Sequence, residues 1–368
     1  MSFANILVTG ATGFIGGATT ARFLDDARVD RLLLFVRAPN ESAAWGRVGR
    51  SLSRFKPPAE IQRESARISL ILGDICDDEA LADPRLDAVT HVLHAAANTS
   101  FRSIREVHRT NVLGTLALAH RMLRAPKLKR FVHVSTAYCC GATAAAVVHE
   151  DQSPRSKTPH MVEYTRSKAE CELLLNATAP QLPLVIARPS VVIGHTGLGC
   201  APSTSLFWYY HALSRIGRAP FSPHQTRDIV PVDYVAEALQ LLLFSTDLKW
   251  RVYHVSAGEG ARVQWGEIAA TFARYAGMTS VEPPRAVPVD SIADPSLLRQ
   301  IFGPGDAERL AAAIALCARF GTIGIEYFDN SRLLAERMHA PPKFTDYLDR
   351  CIAHPPGRNI YEELDDDA

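Results

Sequence analysis

A tyrosine and a lysine stand four residues apart in the stretch VEYTRSKAEC, which covers residues 162–171. On a helix this spacing places Tyr164 and Lys168 on one face, because residues i and i+4 are neighbours there. A free tyrosine titrates near pH about 10, and a nearby ammonium lowers that pKa by favouring the phenolate. The pair is therefore a candidate for acid–base chemistry. The alternative is an ordinary amphipathic helix with a polar stripe, since residues 173–175 are leucines that can pack the same helix.

A second candidate site lies near the start of the chain, where TGATGFIG spans Thr9–Gly16. Its glycines follow a short apolar run, NILV, and precede a stretch with helical periodicity. Glycines between a strand and a helix let backbone N–H groups approach a pyrophosphate, and the helix N-terminus adds partial positive charge. The place of the motif, at the beginning of a strand–helix–strand pattern, favours dinucleotide binding over a turn that serves packing alone.

The end of the second apolar strand indicates which dinucleotide is bound. In NAD-binding proteins an acid about 20 residues beyond the glycines usually binds the ribose hydroxyls. Here the strand LLLFVRAP ends with Arg37, and a guanidinium can bind a 2′-phosphate through two parallel hydrogen bonds. The sequence therefore predicts NADPH, with Arg47 as an additional contact. The alternative at each position is a solvent-exposed charge that does not touch the cofactor.

The elements that would position these residues alternate regularly. Helical stretches separate apolar strands at NILVTG, RLLLFVR, ARISLILGDI, AVTHVLHAAAN, KRFVHVSTAY and LPLVIARPSVVIG, and one more strand is expected at RVYHVSAG. Such alternation predicts a parallel sheet that is covered on both faces. Ligands of open parallel sheets bind at the carboxyl ends of the strands. Thr136 of VSTAY, Tyr164 and Lys168 are therefore expected to meet there, beside the nicotinamide.

The strand–helix alternation stops after Gly194, and from about residue 259 proline-rich connections separate helices. The predicted fold class is α/β, a Rossmann-type doubly wound parallel sheet with a smaller, mostly helical C-terminal substrate-binding domain. Residues 1–195, completed by 229–257, are expected to form the NADP-binding domain. Residues 196–228 and 258–368 are expected to form the substrate-binding cap.

Composition excludes several classes of protein. The chain has 368 residues, is 47% hydrophobic and carries a formal net charge of +1, so no general attraction to nucleic acid or anionic membrane is expected. Its seven cysteines form neither a CxxC motif nor a Cys/His cluster with zinc spacing, which predicts free thiols and no metal. Without a signal peptide or an apolar run of about 20 residues, a cytoplasmic protein with no transmembrane segment is expected. The acidic end EELDDDA is interpreted as a solvated tail.

Over about residues 4–255 the chain resembles the extended short-chain dehydrogenase/reductase superfamily. The glycine motif, GDI, HAAAN, TNVLGT, VSTAY, YTRSK and RPS come in the order typical of that superfamily. The stretches LFVRAPNESAAWGRV, HAAANTSF, VSTAYCCG, ARPSVVIGHTGLGC and DIVPVDYVAEAL are similar to its fatty acyl-CoA reductase and thioester reductase branch, to which the terminal domain of carboxylic acid reductases is related. The C-terminal third resembles the branch only loosely, through IEYFDNSRLL.

The resemblance implies a role for each matching residue. Tyr164 would donate a proton to the substrate carbonyl oxygen, Lys168 would lower the pKa of Tyr164 and bind the nicotinamide ribose, and Thr136 would polarise the carbonyl. Ser135 is the neighbouring alternative, but successive strand side chains point to opposite faces, so only one of the two can serve; the motif favours Thr136. Asn111 of TNVLGT is expected to be structural or to hold a water. The expected cofactor contacts are Thr9, Gly10, Thr12, Gly13, Phe14, Ile15, Arg37, Arg47, Asp74, Ile75, Ala95, Ala96, Asn111, Ser135, Tyr164, Lys168, Pro189 and Ser190.

The implied reaction is the NADPH-dependent reduction of an acyl thioester to an aldehyde, with further reduction to the alcohol left open. The expected partner is acyl-CoA or an acyl carrier protein, and a homodimer is an open alternative because the superfamily often dimerises. One competing hypothesis is an extended short-chain reductase or epimerase that acts on a nucleotide sugar or a hydroxysteroid. Another is a non-catalytic NADP-binding regulator, against which the presence of both Tyr164 and Lys168 argues.

The cap sequence offers candidates for substrate contacts. Residues 206–209, Leu-Phe-Trp-Tyr, could line an apolar tunnel for an acyl chain; the alternative is a packed helix. Arg215, Arg218 and Arg227 could face a phosphate of CoA or of a carrier protein. The alternative for each of these arginines is a solvent-exposed charge.

Overall fold

The computed structural model describes residues 3–99, 103–142, 145–278, 285–354 and 359–366. Ser100 and Phe101 of HAAANTSF and the last two residues of the acidic end lie outside these ranges. The strands are β1 Ala4–Thr9, β2 Val29–Val36, β3 Ile68–Leu72, β4 His91–His94, β5 Arg130–Val134, β6 Val147–Val148, β7 Leu184–Pro189, β8 Val191–Val192, β9 Arg218–Ala219, β10 Thr226–Arg227, β11 Ile229–Val230, β12 Val252–Val255, β13 Val263–Gln264, β14 Arg285–Ala286 and β15 Tyr327–Phe328.

The helices are α1 Phe14–Leu24, α2 Glu41–Leu52, α3 Pro58–Glu64, α4 Asp78–Leu81, α5 Ile104–His108, α6 Thr115–Met122, α7 Glu163–Thr178, α8 Phe207–Ile216, α9 Val232–Phe244, α10 Gly258–Ala261, α11 Trp265–Tyr275, α12 Pro295–Phe302, α13 Ala307–Gly321, α14 Ser331–Ala335, α15 Leu348–Ala353 and α16 Ile360–Asp366. A π-helical segment, Arg109–Gly114, joins α5 to α6. Short 3₁₀ turns include Ala137–Cys140, directly after β5 and Thr136. None of the described helices is long and apolar enough to cross a bilayer.

A seven-stranded sheet with the order β12-β7-β5-β4-β1-β2-β3 forms the centre of the fold. All its neighbouring strands pair in parallel, which confirms the predicted Rossmann-type architecture. The chain starts at β1, moves outward to β3 and then returns past β1 to β4. This reversal leaves a crevice at the carboxyl ends of β1 and β4, where such sheets bind ligands. The glycine motif lies at this crevice because it directly follows β1.

Helices cover both faces of the sheet, as the continuous apolar strands predict. Alternate residues of β1 enter opposite cores, because strand side chains alternate between faces. Ile6 and Val8 join a core that includes side chains of α1, α2 and α9. Leu7 joins the opposite core, which includes side chains of α6 and α7. Because the strands are packed on both faces, the positions of their carboxyl ends, and of the residues that follow them, are well defined.

A further group of buried side chains connects the helices of the predicted cap. It includes Trp208 and Tyr210 of α8, Trp265 of α11 and Ile314 of α13. This cluster supports a separate helical unit, although the domain boundaries remain a prediction. Within the range predicted as cap, Leu333 of α14 and the following Met338 pack into the core of the sheet instead.

The interpretation of the acidic end as a solvated tail is wrong for its described part. Residues 360–366 form α16, whose Ile360 and Leu364 are only 3% and 8% exposed because they pack in the cap core. Glu363 is buried beside them, and its carboxylate lies 3.2 Å from His211 Nδ1 of α8. The spacing of Ile360 and Leu364, four residues apart, is the helical signal that the charge pattern obscured.

Candidate active site

A cavity of about 820 Å³ lies at the carboxyl ends of β1, β4, β5 and β7 and extends to the cap helices α8 and α13. Every residue predicted for catalysis or cofactor binding lines this cavity, with the exception of Asn111. The glycine loop and the arginines of β2 and α2 border one part of it, and cap residues border another. The space is large enough for a cofactor and a substrate group to lie side by side.

The glycine loop requires its glycines for two geometric reasons. Gly10 has φ +74°, and a Cβ there would lie 2.6 Å from the backbone of Ala95 and Ala96, at the end of β4. A Cβ at Gly16 would lie 2.1 Å from the carbonyl oxygen of Gly10. The loop therefore folds tightly against β4 and exposes backbone N–H groups at the start of α1, whose first turn carries no acid. This arrangement fits a dinucleotide pyrophosphate.

Arginines surround the part of the cavity beyond β2. Arg37 and Arg47 both line it, and Arg47 Nη1 donates to the backbone oxygen of Arg37 over 2.6 Å. Arg37 Nη1 lies 3.7 Å from Asp74 Oδ2, and the Arg37 side chain is 62% exposed. Arg54 also lines the cavity and was not predicted. Arg54 lies in a turn two residues beyond the end of α2, so helical spacing from Arg47 did not indicate its position.

Lys168 lines the same part of the cavity as Thr136 and Tyr164. Its Nζ donates to the carbonyl oxygen of Val134 at 2.8 Å, and the residue is 1% exposed. Burial lowers the pKa of Lys168 to about 8. His94 and His133, on the neighbouring strands, stack at 5.3 Å between ring centroids. Burial, reinforced by the charge of Lys168, lowers the pKa of His94 to about 3 and that of His133 well below its usual value, so both rings are neutral at neutral pH.

The net shift of the Tyr164 pKa is upward, whereas the expected effect of Lys168 is to lower it. Burial raises the pKa of Tyr164 to about 12, with a smaller contribution from Cys139. Desolvation of the phenolate is the main cause of this shift, so a lowering by Lys168 stays a prediction. Tyr164 consequently carries its proton throughout the neutral range. That protonation state is the one that a proton donor requires.

Thr136 and Ser135 have different partners, as strand alternation predicts. The Ser135 hydroxyl donates to Glu172 Oε1 at 2.5 Å in a fully buried position. Thr136 Oγ1 accepts a hydrogen bond from Tyr138 N at 3.3 Å, so its own O–H hydrogen can be donated into the cavity. The geometry therefore favours Thr136 over Ser135 as the group that contacts a carbonyl.

Asn111 is not among the residues that line the cavity; its contacts fit the structural role expected for it, and its contact with the cofactor stays a prediction. It belongs to the π-helical segment and is fully buried. Its Nδ2 donates to Asn98 O and Ser167 Oγ, both at 2.9 Å, while its Oδ1 accepts from Asn98 N at 2.7 Å. Asn111 thereby connects the irregular segment after β4 to α7, the helix of Tyr164. The wide π turn moves its side chain into this position.

The cap contributes some, but not all, of the residues considered for substrate contacts. Leu206 and Tyr209 line the cavity, whereas Phe207 packs against Phe272 with 5.8 Å between ring centroids. Trp208 likewise belongs to the buried cap core. Arg227 lines the cavity, whereas Arg218 is solvent-exposed and Arg215 lies 5.8 Å from the ring centroid of Phe302. Within the described ranges, no three His, Cys, Asp or Glu side chains come together as metal ligands.

Comparison with known proteins identifies relatives of this arrangement. A family model of an NAD-binding domain, described as male sterility protein, matches residues 8–239. Aldehyde reductase lnaA of Aspergillus flavus is 27% identical over 268 residues, which cover 68% of this chain and 25% of that protein. Fatty acyl-CoA reductase 1 of Xenopus laevis is 25% identical over 309 residues, which cover 72% of this chain and 60% of that protein. The chain thus spans only a part of each relative's length.

A solved structure shares the fold over nearly the whole chain. It is the terminal R domain from the myxalamid PKS-NRPS biosynthetic pathway, with a TM-score of 0.77 and 21% sequence identity. The match covers 96% of this chain and 90% of that domain. The likeness extends through the C-terminal third, where the sequence resemblance is loose.

Proposed function

The chain belongs to the male sterility protein family of NAD-binding proteins, and on that basis we propose that it is an NADPH-dependent reductase of acyl thioesters. Its substrate is an acyl group carried on CoA or on a carrier protein, and its product is an aldehyde. One observation carries this proposal: Thr136, Tyr164 and Lys168 border the same cavity as the glycine loop. The relatives named as an aldehyde reductase and a fatty acyl-CoA reductase support the reaction class. The same groups could reduce the aldehyde to the alcohol in a second round.

The residues of the cavity fit a bound NADPH. The glycine loop and the N-terminus of α1 would hold its pyrophosphate, and Arg37, Arg47 and Arg54 would surround its 2′-phosphate. Asp74 and Ile75 would flank the adenine, and residues 95–96 and 189–190 would border the nicotinamide. When bound, the reduced nicotinamide supplies a hydride to the thioester carbon.

The chain's own side chains would manage charge and protons in this reaction. The hydroxyls of Thr136 and Tyr164 donate hydrogen bonds to the carbonyl oxygen, where negative charge develops. Tyr164, protonated because its pKa is raised to about 12, then transfers its proton to that oxygen. The Lys168 ammonium stabilises the resulting phenolate by its positive charge. As the C–S bond of the tetrahedral thiohemiacetal breaks, its hydroxyl proton returns to the Tyr164 phenolate and the C=O bond of the aldehyde forms. The departing thiolate takes up a proton from solvent and leaves as the thiol.

Replacing Arg37 with aspartate is expected to weaken NADPH binding about tenfold or more while changing NADH binding much less. The substitution removes a charge-assisted hydrogen bond to the 2′-phosphate and introduces a repelling carboxylate close to Asp74. Dissociation constants of both cofactors, measured by fluorescence titration, check this expectation. Arg31→Asp, an exposed charge change earlier on β2, is the matched control. An equal loss of affinity for NADPH and NADH would show that Arg37 does not bind the 2′-phosphate.

The reaction class is tested by following NADPH consumption by the purified chain with a panel of medium- and long-chain acyl-CoAs and carrier-bound acyl groups. The expected result is thioester-dependent oxidation of NADPH and accumulation of aldehyde or alcohol. Turnover of UDP-sugars or ketosteroids, with no turnover of any thioester, would instead support the competing reductase or epimerase.

A further inference from the structure

An aromatic chamber forms the part of the cavity that the cap borders. Its walls include Tyr138, Tyr209, Tyr210, Phe221, Arg227 and Phe320, and we refer to these six residues as the cap chamber. Tyr138 follows Thr136 by two residues and packs edge-on against Phe320, with 5.5 Å between ring centroids. The chamber therefore lies next to the reacting groups. An acyl chain whose thioester carbon lies at Tyr164 can extend into this chamber.

Arg227 is an unusual wall residue for a plain hydrocarbon chain. Its guanidinium lies 3.8 Å from the ring centroid of Phe221, and its Nη1 donates to the adjacent Thr226 O at 2.7 Å. Its Nη2 is buried and has no hydrogen-bond partner. Among the described residues no carboxylate forms an ion pair with Arg227 within 4.0 Å. The carboxylate of the next residue, Asp228, instead accepts from Ala257 N and Phe328 N at 2.7 and 2.9 Å.

Tyr209 presents a second unsatisfied donor in the same chamber. The residue is 5% exposed, and its hydroxyl is buried without a hydrogen-bond partner. Buried polar groups in folded proteins are nearly always hydrogen-bonded, and an unpaired buried charge is costlier still. Both residues line the same cavity; Arg227 as a whole is half-buried and its Nη2 is the buried atom. An oxygen of a ligand held in the chamber would supply the partner that each donor lacks. A saturated alkyl chain would leave both donors unpaired and would further desolvate the guanidinium.

From these contacts we propose that the cap chamber recognises an anionic oxygen group of the thioester substrate, and that this group is a carboxylate on the acyl chain. The inference rests on the proposed function and narrows its substrate class from acyl thioesters in general to those of carboxyl-bearing acyl groups. Arg227 supplies the charge, and the Tyr209 hydroxyl supplies a second hydrogen bond. A phosphate of CoA or of a carrier arm offers the same chemistry from the other side of the thioester, so the test must separate the two sources.

The test compares two CoA thioesters of equal chain length, octanoyl-CoA and the mono-CoA thioester of octanedioic acid. Binding of each to the full chain is measured by calorimetry without NADPH, and kcat/KM is then measured with NADPH. The variants are Arg227→Met, Tyr209→Phe and, as the matched control, the exposed Arg218→Met. We expect the carboxylate thioester to bind at least about tenfold more tightly than octanoyl-CoA, as the energy of a charge-assisted hydrogen bond requires. Arg227→Met should abolish this preference, Tyr209→Phe should reduce it, and Arg218→Met should leave it unchanged.

Three outcomes would overturn the inference. The first is equal binding of the two thioesters by the unaltered chain, and the second is an unchanged preference in Arg227→Met. The third is a loss in Arg227→Met that is equal for both CoA thioesters but absent for the matching N-acetylcysteamine thioesters, which would assign Arg227 to the phosphate. Absence of turnover with every thioester would count against the proposed function instead, and the binding measurement would still decide what the cap chamber recognises.

Discussion

Replacing Tyr164 with phenylalanine is expected to lower kcat by at least about a hundredfold, because general acid catalysis contributes 10²–10⁴-fold. The substitution removes only the hydroxyl that would donate a proton to the carbonyl oxygen. Lys168 keeps its bond to Val134 O in this variant, since that contact does not involve Tyr164. NADPH affinity should therefore remain within about twofold of the original value. Initial rates at saturating thioester, together with a fluorescence titration of NADPH, provide the measurement.

The matched control for this substitution is Tyr275→Phe, which removes a hydroxyl from a tyrosine that is 50% exposed at the end of α11. Its kcat should not change. If Tyr164→Phe retained the original kcat while Tyr275→Phe behaved as expected, Tyr164 would not be the proton donor. A loss of NADPH binding as large as the loss of kcat would point to a structural defect at the cofactor site.

The second large effect is expected on the stability of the protein, at a buried ion pair between α7 and β7. Glu172 and Arg188 are 1% and 2% exposed, and Arg188 Nη2 donates to Glu172 Oε2 at 2.6 Å while its Nε donates to Oε1 at 3.0 Å. Replacing Glu172 with alanine would leave the guanidinium buried and unpaired. We expect the free energy of unfolding to fall by about 3–5 kcal/mol. Urea denaturation followed by circular dichroism measures this change.

Two further variants make the stability prediction specific. Glu170→Ala, on the same helix, removes a partly exposed carboxylate that pairs with Arg166 at 3.0 Å, and it should cost less than about 1 kcal/mol. The double variant Glu172→Leu/Arg188→Met removes both buried charges and should be more stable than Glu172→Ala alone. A cost for Glu172→Ala no larger than that for Glu170→Ala would contradict the interpretation.

Much of the fold follows from local sequence patterns. The runs NILVTG and RVYHVSAG became β1 and β12, at the centre and at one edge of the sheet, because buried parallel strands are continuously apolar. The short motifs around Tyr164 and Gly10 predicted neighbouring positions correctly, since strand ends in such a sheet converge. These residues line one cavity because each directly follows a strand or lies on the helix after one.

Features that depend on contacts between distant residues were not predictable in the same way. Arg188 of β7 pairs with Glu172 of α7, and no local sequence pattern around either residue predicts this contact. The pKa of Tyr164 is set by the desolvation of its phenol in the folded protein, which no four-residue spacing reveals. The helical acidic end and the unsatisfied Tyr209 hydroxyl likewise depend on which cap surfaces pack together. Local pattern thus indicates the candidate catalytic groups, whereas tertiary packing sets their electrostatics and the shape of the cap chamber.

The central claim is that hydride passes from NADPH to the carbonyl carbon of an acyl thioester at this cavity. Its most direct test uses NADPH that carries deuterium at the transferable position, prepared separately as each stereoisomer, with product analysis by mass spectrometry. We predict that one of the two isomers delivers a single deuterium to the aldehyde carbon and that Tyr164→Phe suppresses this product. Conversion of the thioester to an unlabelled aldehyde with both isomers, or to the free acid with NADPH unconsumed, would contradict the account.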